Sequence, residues 1–395
     1  MATKRNRKAK IAVAITLAVI LIILAVAVWY VYKYENELFM TYYNALFGDD
    51  KNEQNEIPST IIEGDLSIHF IDMGNEWAGD CVYIKAGDTD MLVDAGSRAG
   101  SVPTIQAYLD NYVTDGVLEY VIATHSDRDH IAGFAASNSI FDIYECETII
   151  DFPQVKSTTA TLNDYYEKRD AEVEAGAAHY TALECCNEEN GAKKVWNLSE
   201  DVTMTILYQK FYETRDPNDN NNHSVCFILT HGERHFLFTG DLEKEGEESL
   251  VEENKLPEVV LFKAGHHGSP TSSNDELLSV IKPQIVCVCC CAGCGEYTAN
   301  NANTFPSQAM IDRVAKYTDR VYVLCAIDTV FVPGTDGKDD KLESVGERYM
   351  LNGNIVVTSS ESEVAVNCSN NNTILKDTEW FKKYRETPPE WEAAA

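Results

Sequence analysis

One loop governs what this chain can become. The apolar run Val121-Ile122-Ala123-Thr124 opens directly into His125-Ser126-Asp127-Arg128-Asp129-His130, followed by Ile131-Ala132-Gly133-Phe134. This is the pattern of a buried strand passing through a loop into a helix start. Four metal-capable side chains fall at offsets 0, 2, 4 and 5. In an extended segment offsets 0 and 2 project to the same side, whereas offsets 4 and 5 on an opening helical turn diverge from them. One short loop can therefore serve two ions, His125 with Asp127 and Asp129 with His130. The chain has only nine histidines, so this clustering marks a metal centre rather than an incidental acidic turn.

Two later segments repeat the arrangement. His235 to Thr239 reads as a strand ending in Gly240-Asp241, and Val259 to Ala264 as a strand ending in Gly265-His266-His267-Gly268-Ser269. Each sets a ligand-type side chain where a sheet edge meets solvent. Asp241 is the natural carboxylate to bridge two metals, and one or both of His266 and His267 would complete the second site. His223 is a further candidate for the first metal, against a plain loop-end histidine before the strand Val225 to Thr230. His69, His179, His231 and His235 read as surface or strand-end residues.

These residues carry a resemblance. The blocks His69-Phe70-Ile71-Asp72-Met73-Gly74, Gly79-Asp80, Leu92-Val93-Asp94-Ala95-Gly96, Thr124 to Gly133, Asn222-His223-Ser224, Phe238-Thr239-Gly240-Asp241 and Ala264 to Ser269 resemble, in order and spacing, the metallo-β-lactamase fold. Within it they are most similar to the hydrolase domain of the ComEC/Rec2 DNA-uptake competence proteins and its stand-alone relatives. The resemblance implies an α/β, four-layer αββα sandwich over residues 60–365 with metals at one edge of two sheets. It further implies a bond-hydrolysing enzyme in which a hydroxide held between two divalent ions attacks, since such ions lower the pKa of bound water. The expected ligands are His125, Asp127, Asp129, His130, Asp241, His266 and His267, with Asp129, Asp241 and His267 as catalytic residues. Asp94 is expected to orient a ligand or water from behind rather than bind metal, and Ser269, with Thr271 and Ser272, either donates to a phosphate at the start of the following helix or serves only as a turn and cap residue.

The charges agree with that chemistry. Asp127, Asp129 and Asp241 oppose two divalent ions and one hydroxide to leave a nearly neutral cluster, able to accept an anionic phosphodiester. An aspartate at position 127 in place of a histidine also hardens the donor set, so the ions expected are Zn²⁺ or Mn²⁺. Relatives carry a Tyr-Gly-His-Pro-like stretch where this chain has Asn303-Thr304-Phe305-Pro306-Ser307. Phe305 thus stands where a histidine that can contact phosphate or leaving group is expected, which weighs against nuclease activity.

Location is written in the first sixty residues. Lys4, Arg5, Arg7, Lys8 and Lys10 form a cationic tail over residues 1–10, and Ile11 to Tyr32 carries no charge, long enough to span a bilayer core. This predicts a transmembrane helix at 11–32 with a cytoplasmic N-terminus; a cleaved signal peptide ending at Ala25-Val26-Ala27 is the competing reading. A stalk and polar linker follow at 33–59, then the hydrolase domain at 60–365 outside the cytoplasm, then a tail at 366–395. The net charge is −31, and −36 without the five N-terminal cations, so long polyanions are repelled and a small or polymeric phosphodiester is favoured over long nucleic acid.

Twelve cysteines include the run Cys287-Val288-Cys289-Cys290-Cys291-Ala292-Gly293-Cys294. Cys287 and Cys289 alternate along an expected buried strand, where cysteine acts as a small apolar residue; a local disulfide, or a structural zinc on Cys291 and Cys294, stands beside that reading. The stretch Leu162 to Leu183 is expected to be helical. Two other functions compete with phosphodiester hydrolysis. One is amide or ester hydrolysis of a lactam or lactone, which an all-histidine first site would favour; the other is a non-catalytic surface binding module.

Overall fold

Short, strongly apolar strands linked through polar loops favour sheets whose residues are buried on both faces. The computed structural model describes residues 65–298, 300–332 and 341–392. The expected basic tail, membrane helix and linker fall at 1–59, outside the described residues. Among the described residues no helix is long and apolar enough to cross a membrane.

The described strands form two eight-stranded sheets. Sheet one contains β1 (Leu66–Phe70), β2 (Val82–Ala86), β3 (Thr89–Val93), β4 (Val117–Ile122), β5 (Glu145–Asp151), β6 (Ala178–Thr181), β15 (Ile355–Ser359) and β16 (Val364–Cys368), in the order β16-β15-β1-β2-β3-β4-β5-β6. Sheet two contains β7 (Val195–Asn197), β8 (Val202–Leu207), β9 (Cys226–His231), β10 (Arg234–Phe238), β11 (Leu261–Lys263), β12 (Ile285–Ala292), β13 (Val321–Val332) and β14 (Lys341–Met350), in the order β14-β13-β12-β11-β10-β9-β8-β7. Parallel pairing runs from β3 to β6 in one sheet and from β10 to β13 in the other. The carboxyl ends of parallel strands are where such sheets place ligands.

Alternation along each strand builds the layers. Ile285, Cys287, Cys289 and Cys291 of β12 join the core between the sheets, together with Ile68, Phe70, Phe227 and Phe238. Val286, Val288, Cys290 and Ala292 face the other way and pack with Leu277, Leu278, Met310 and Ile311 of the helices Asp275–Ile281 and Gln308–Val314. The cysteine-rich run is thus core packing, and all twelve thiols are free. Helices over sheet one, among them Val102–Leu109 and Ala160–Ala175, bury Ile105, Leu109, Leu162 and Tyr165. The α/β sandwich of two sheets with flanking helices agrees with the expected layering.

Three sequence readings need correction. The expected helix Leu162 to Leu183 stops at Ala175, because Gly176 takes φ +129° and turns the chain into β6. Of the expected tail, the described residues 366–392 pack on the domain: Trp380, Phe381 and Trp391 are buried in the second core, and Arg385 donates to the Thr304 and Pro306 carbonyls at 2.7 and 3.0 Å. His231 ends β9 and His69 stands one residue from the end of β1, so of the two readings, surface or strand end, only the surface one fails. Both are buried, His69 between Tyr108 Oη and Ser67 Oγ at 2.8 and 2.9 Å, and His231 against Ser359 Oγ at 3.0 Å.

Candidate metal centre

Loops at the carboxyl ends of β3, β4, β10 and β11 meet at one edge of the sandwich. The loop after β4 is pinned from beneath by backbone bonds, Asp80 N–H to Asp129 O at 3.1 Å and Ala95 N–H to His130 O at 2.8 Å. A Cβ at Gly96 would fall 1.5 Å from the Asp129 carbonyl oxygen, so only glycine lets these loops approach. Beyond β11, His266 and His267 take consecutive left-handed conformations, φ +46° and +53°. Such strain persists where the surroundings impose it, and here it aims His267 inward.

The inner part of the site is closely knit. Asp241 Oδ2 lies 3.1 Å from His130 Nε2 and 3.0 Å from His267 Nε2, and the two imidazole nitrogens are 3.3 Å apart. Asp129 Oδ2 is 3.4 Å from His267 Nε2. Behind them, Asp94 takes the His130 Nδ1 proton at 2.7 Å while it accepts from the Thr124 N–H and hydroxyl, each at 2.7 Å. Asp94 thus contacts the His130 ring on the side away from Asp241. Burial works against charge on His130 and His267, yet Asp241, Asp94 and Asp80 overcome it and hold both well above the ordinary imidazole range.

The outer part is looser. His125 Nε2 is 3.8 Å from Asp127 Oδ2, and the His125 ring lies 4.1 Å from that of His130. His125 is held at Nδ1 by Thr124 Oγ1, 3.2 Å away, and burial followed by the charge of His130 pushes its pKa well below normal. Asp127 is held by Asn220 Nδ2 at 2.6 Å. His266 Nε2 is 4.0 Å from Asp241, and its Nδ1 is near Glu243 at 3.3 Å and Thr271 Oγ1 at 3.2 Å. Ser269 Oγ is 2.9 Å from Thr271 Oγ1, so its support of His266 is indirect. His223 is turned elsewhere: its Nε2 accepts the Asp216 N–H at 2.8 Å.

The donor set suits a divalent metal. His125 Nε2 is buried yet has no hydrogen-bond partner, a position that ordinarily costs free energy unless something else fills it. Its ring lies 4.1 Å from that of His130 and its Nε2 is 3.8 Å from Asp127, and imidazole with carboxylate is the donor chemistry of zinc and manganese sites. Ligand atoms of Asp80, His130, Asp241 and His267 all lie within 4.8 Å of one another.

Asp80, quoted above in the block Gly79-Asp80 without a role, and Lys263 and Tyr297 are further neighbours of the cluster that the sequence reading did not name as site residues. Lys263 Nζ is buried, paired with Asp80, 3.0 Å from the Gly240 carbonyl and 3.5 Å from Asp241 Oδ1. Burial alone would raise the Asp80 pKa, but Lys263 and His267 bring it below its usual value. A lone cation closing the apolar strand Val259 to Lys263 was the available signal. Tyr297 donates to Asp129 Oδ2 at 2.7 Å from an irregular loop, and no local pattern announced it. Phe305 packs 5.7 Å from the His266 ring and 6.2 Å from that of His267, beside the cluster as its sequence position implied.

Residues 216–292 match the metallo-beta-lactamase superfamily. The chain is 27% identical over 210 residues to ComE operon protein 3 of Bacillus subtilis, covering 52% of this chain and 23% of that one. It is 26% identical over 257 residues to Recombination protein 2 of Haemophilus influenzae, covering 64% and 27%. The chain has a ComEC/Rec2-like metallo-β-lactamase fold. It spans 23 to 30% of the length of these curated relatives and of Competence protein ComA of Neisseria gonorrhoeae. Among solved structures, the metallo-beta-lactamase fold protein YhfI of Bacillus subtilis aligns at 12% identity with a TM-score of 0.39, over 65% of this chain and 95% of that one. Fold and Asp/His cluster together support a divalent-metal hydrolase.

Proposed function

We propose that this protein is a phosphodiesterase whose hydrolytic centre is formed by His125, Asp127, Asp129, His130, Asp241 and His267, with His266 at the rim. The observation that carries the reading is the charge arrangement around Asp241. Lys263 offsets Asp80, so Asp127, Asp129 and Asp241 remain as three carboxylates that would hold and balance two divalent ions. Such ions, when bound, polarise phosphoryl oxygens and make water nucleophilic near neutral pH. The protein residues do the positioning. Asp94 fixes His130 through Nδ1, which leaves Nε2 turned toward Asp241. The Cys289 carbonyl, 3.1 Å from Nδ1 of His267, does the same for that ring. Carboxylates in place of an all-histidine first site favour an anionic phosphodiester over a lactam. The test is metal content together with hydrolysis of bis(p-nitrophenyl) phosphate by the purified full chain. Turnover that disappears with chelator and returns with Mn²⁺ or Zn²⁺ supports the proposal; bound metal without turnover favours the binding-module reading.

We further propose that residues 11–32 anchor the chain with the hydrolase domain outside the cytoplasm. The support is the uncharged 22-residue run behind five cations. Protease applied to intact cells should release a fragment starting near residues 48–59, and a soluble mature form beginning at Val28 would defeat the anchor.

A further inference from the structure

The C-terminal segment holds a buried cation that no acid balances. Arg385 is 8% exposed, and among the described residues no carboxylate pairs with it. Its donors go to backbone carbonyls instead: Nε to Pro306 at 3.0 Å, one terminal nitrogen to Tyr384 at 2.8 Å and the other to Thr304 at 2.7 Å, with the Thr304 hydroxyl also at 2.7 Å. The ring of Trp380 lies 4.6 Å from the guanidinium carbon, and burial lowers the Arg385 pKa to about 10. An apolar side chain in this space would avoid that desolvation. The position therefore calls for what a guanidinium supplies and a lysine does not, a planar fork of donors in fixed geometry. The next residue fastens the same region again: Glu386 N–H donates to Gln308 Oε1, and Gln308 Nε2 to the Glu386 carbonyl, each at 2.9 Å.

What the fork grips is a turn that touches the metal centre. The Phe305 carbonyl, between the two that Arg385 holds, accepts from the Gly293 N–H at 2.9 Å, and the Ser307 N–H donates to the Gly268 carbonyl at 2.8 Å. A Cβ at Gly268 would stand 3.0 Å from Pro306, so the turn lies directly on the residue after His267. The Phe305 ring packs on both His266 and His267. His267 also has the Cys289 carbonyl at Nδ1, whereas His266 otherwise meets the side chains of Asn221, Glu243 and Thr271. Resting on the metal-hydrolase reading above, we infer that Arg385 is a positioning residue for the paired histidines. It holds the Thr304 and Pro306 carbonyls so that Phe305 stays against His266 and His267, and the C-terminal segment becomes a working part of the metal centre.

The test is a double-mutant cycle on the full chain: Arg385→Met, Phe305→Leu and the two together. The first keeps volume and drops the fork, and the second keeps the turn and drops the ring. Zn²⁺ affinity is read by competition with a chromogenic chelator, and the His266 ring by its ¹H–¹⁵N correlation in the metal-free chain, assigned with His266→Gln. Loss of a group that orients a ligand from outside weakens metal binding by roughly 10- to 100-fold, and Arg385 acts one contact further out, so each single variant should lose roughly 10-fold. The double variant should be no weaker than the singles, because both remove the same contact. Both singles should shift the same His266 signal. Trp391→Leu lies in the same segment, against Phe381 and the Thr318 carbonyl; it should lower the urea midpoint and leave Zn²⁺ affinity and the His266 signal as they are. Additive losses in the cycle, a His266 signal unmoved by Arg385→Met, or an equal loss of affinity in Trp391→Leu overturns the inference. Should Arg385→Met not fold, Arg385→Lys takes its place in the cycle, since it keeps the charge and loses the fork. If the unaltered protein binds no Zn²⁺, the metal-hydrolase reading falls, and the His266 signal with its dependence on Arg385 still decides the positioning role.

Discussion

The two parts of the metal centre share a loop but not an environment. His130, His267 and Asp241 expose 0, 0 and 2% of their side chains, and each is also gripped from behind. Asp127 exposes 40% and His266 19%, and what holds them comes from loop residues, Asn220 for Asp127 and Glu243 with Thr271 for His266. A buried donor with a buried partner is positioned before anything binds. An exposed donor adapts to what arrives. The difference teaches that, on the proposed hydrolase reading, the inner part would fix a metal before substrate arrives while Asp127 and His266 would meet the substrate side; His125, only 1% exposed, belongs with the inner part in this respect.

Substitutions break or sharpen this contrast. The largest effect is expected from Asp241→Ala, which removes the carboxylate contacted by both inner imidazoles: bis(p-nitrophenyl) phosphate turnover should vanish and metal stoichiometry should fall. Asp127→Ala should retain more of both, and the reverse ranking would undo the comparison. Next comes Lys263→Met, which leaves Asp80 and Asp241 buried without their cation. Loss of one partner from a buried pair costs about 3–5 kcal/mol, to be read from urea unfolding in chelator. Asp94→Ala frees the His130 ring and should weaken metal binding by roughly 10- to 100-fold, measured by competition with a chromogenic chelator.

The smallest effect separates a buried histidine with carboxylates from one without. Burial lowers the pKa of His69 to about 3, below the 6.5 or so of an unfolded histidine. The folded state therefore favours the neutral ring, and its stabilisation is complete above pH 6.5 and is lost as pH falls toward 3. Between pH 7.5 and 5.5 this group should account for about 1.4 kcal/mol of lost stability. Urea midpoints of the parent and His69→Gln at the two pH values check it, and equal pH slopes would refute it.

What could be read from the sequence follows how local each feature is. His125 to His130, Asp241 and His267 sit at the ends of apolar strands, and strand plus loop is a pattern held within about ten residues. Asp94 was legible through its short block Leu92 to Gly96. Choosing between His266 and His267 was not possible, because the answer lies in the two left-handed backbone turns that swing one ring inward. Tyr297 meets Asp129 across 168 sequence positions and Asp80 meets His267 across 187, so only the packed loops reveal what either residue touches. The stretch 366–395 was read only as a tail. Its Trp380, Phe381 and Trp391 find their burial on a helix layer that no local window displays.

The cluster draws His130 and Asp94 from one sheet and Asp241 and His267 from the other. Any ion seated there is therefore a clasp between halves of the sandwich. Its binding free energy is added to the cohesion of the whole domain, about 2.7 kcal/mol at a free concentration one hundred times Kd. Because loops distant in sequence must first be brought together, and such long-range topology folds slowly, the seat for the clasp exists only after both sheets have formed. Metal capture then marks the end of folding, and chelation should loosen the entire sandwich rather than one loop.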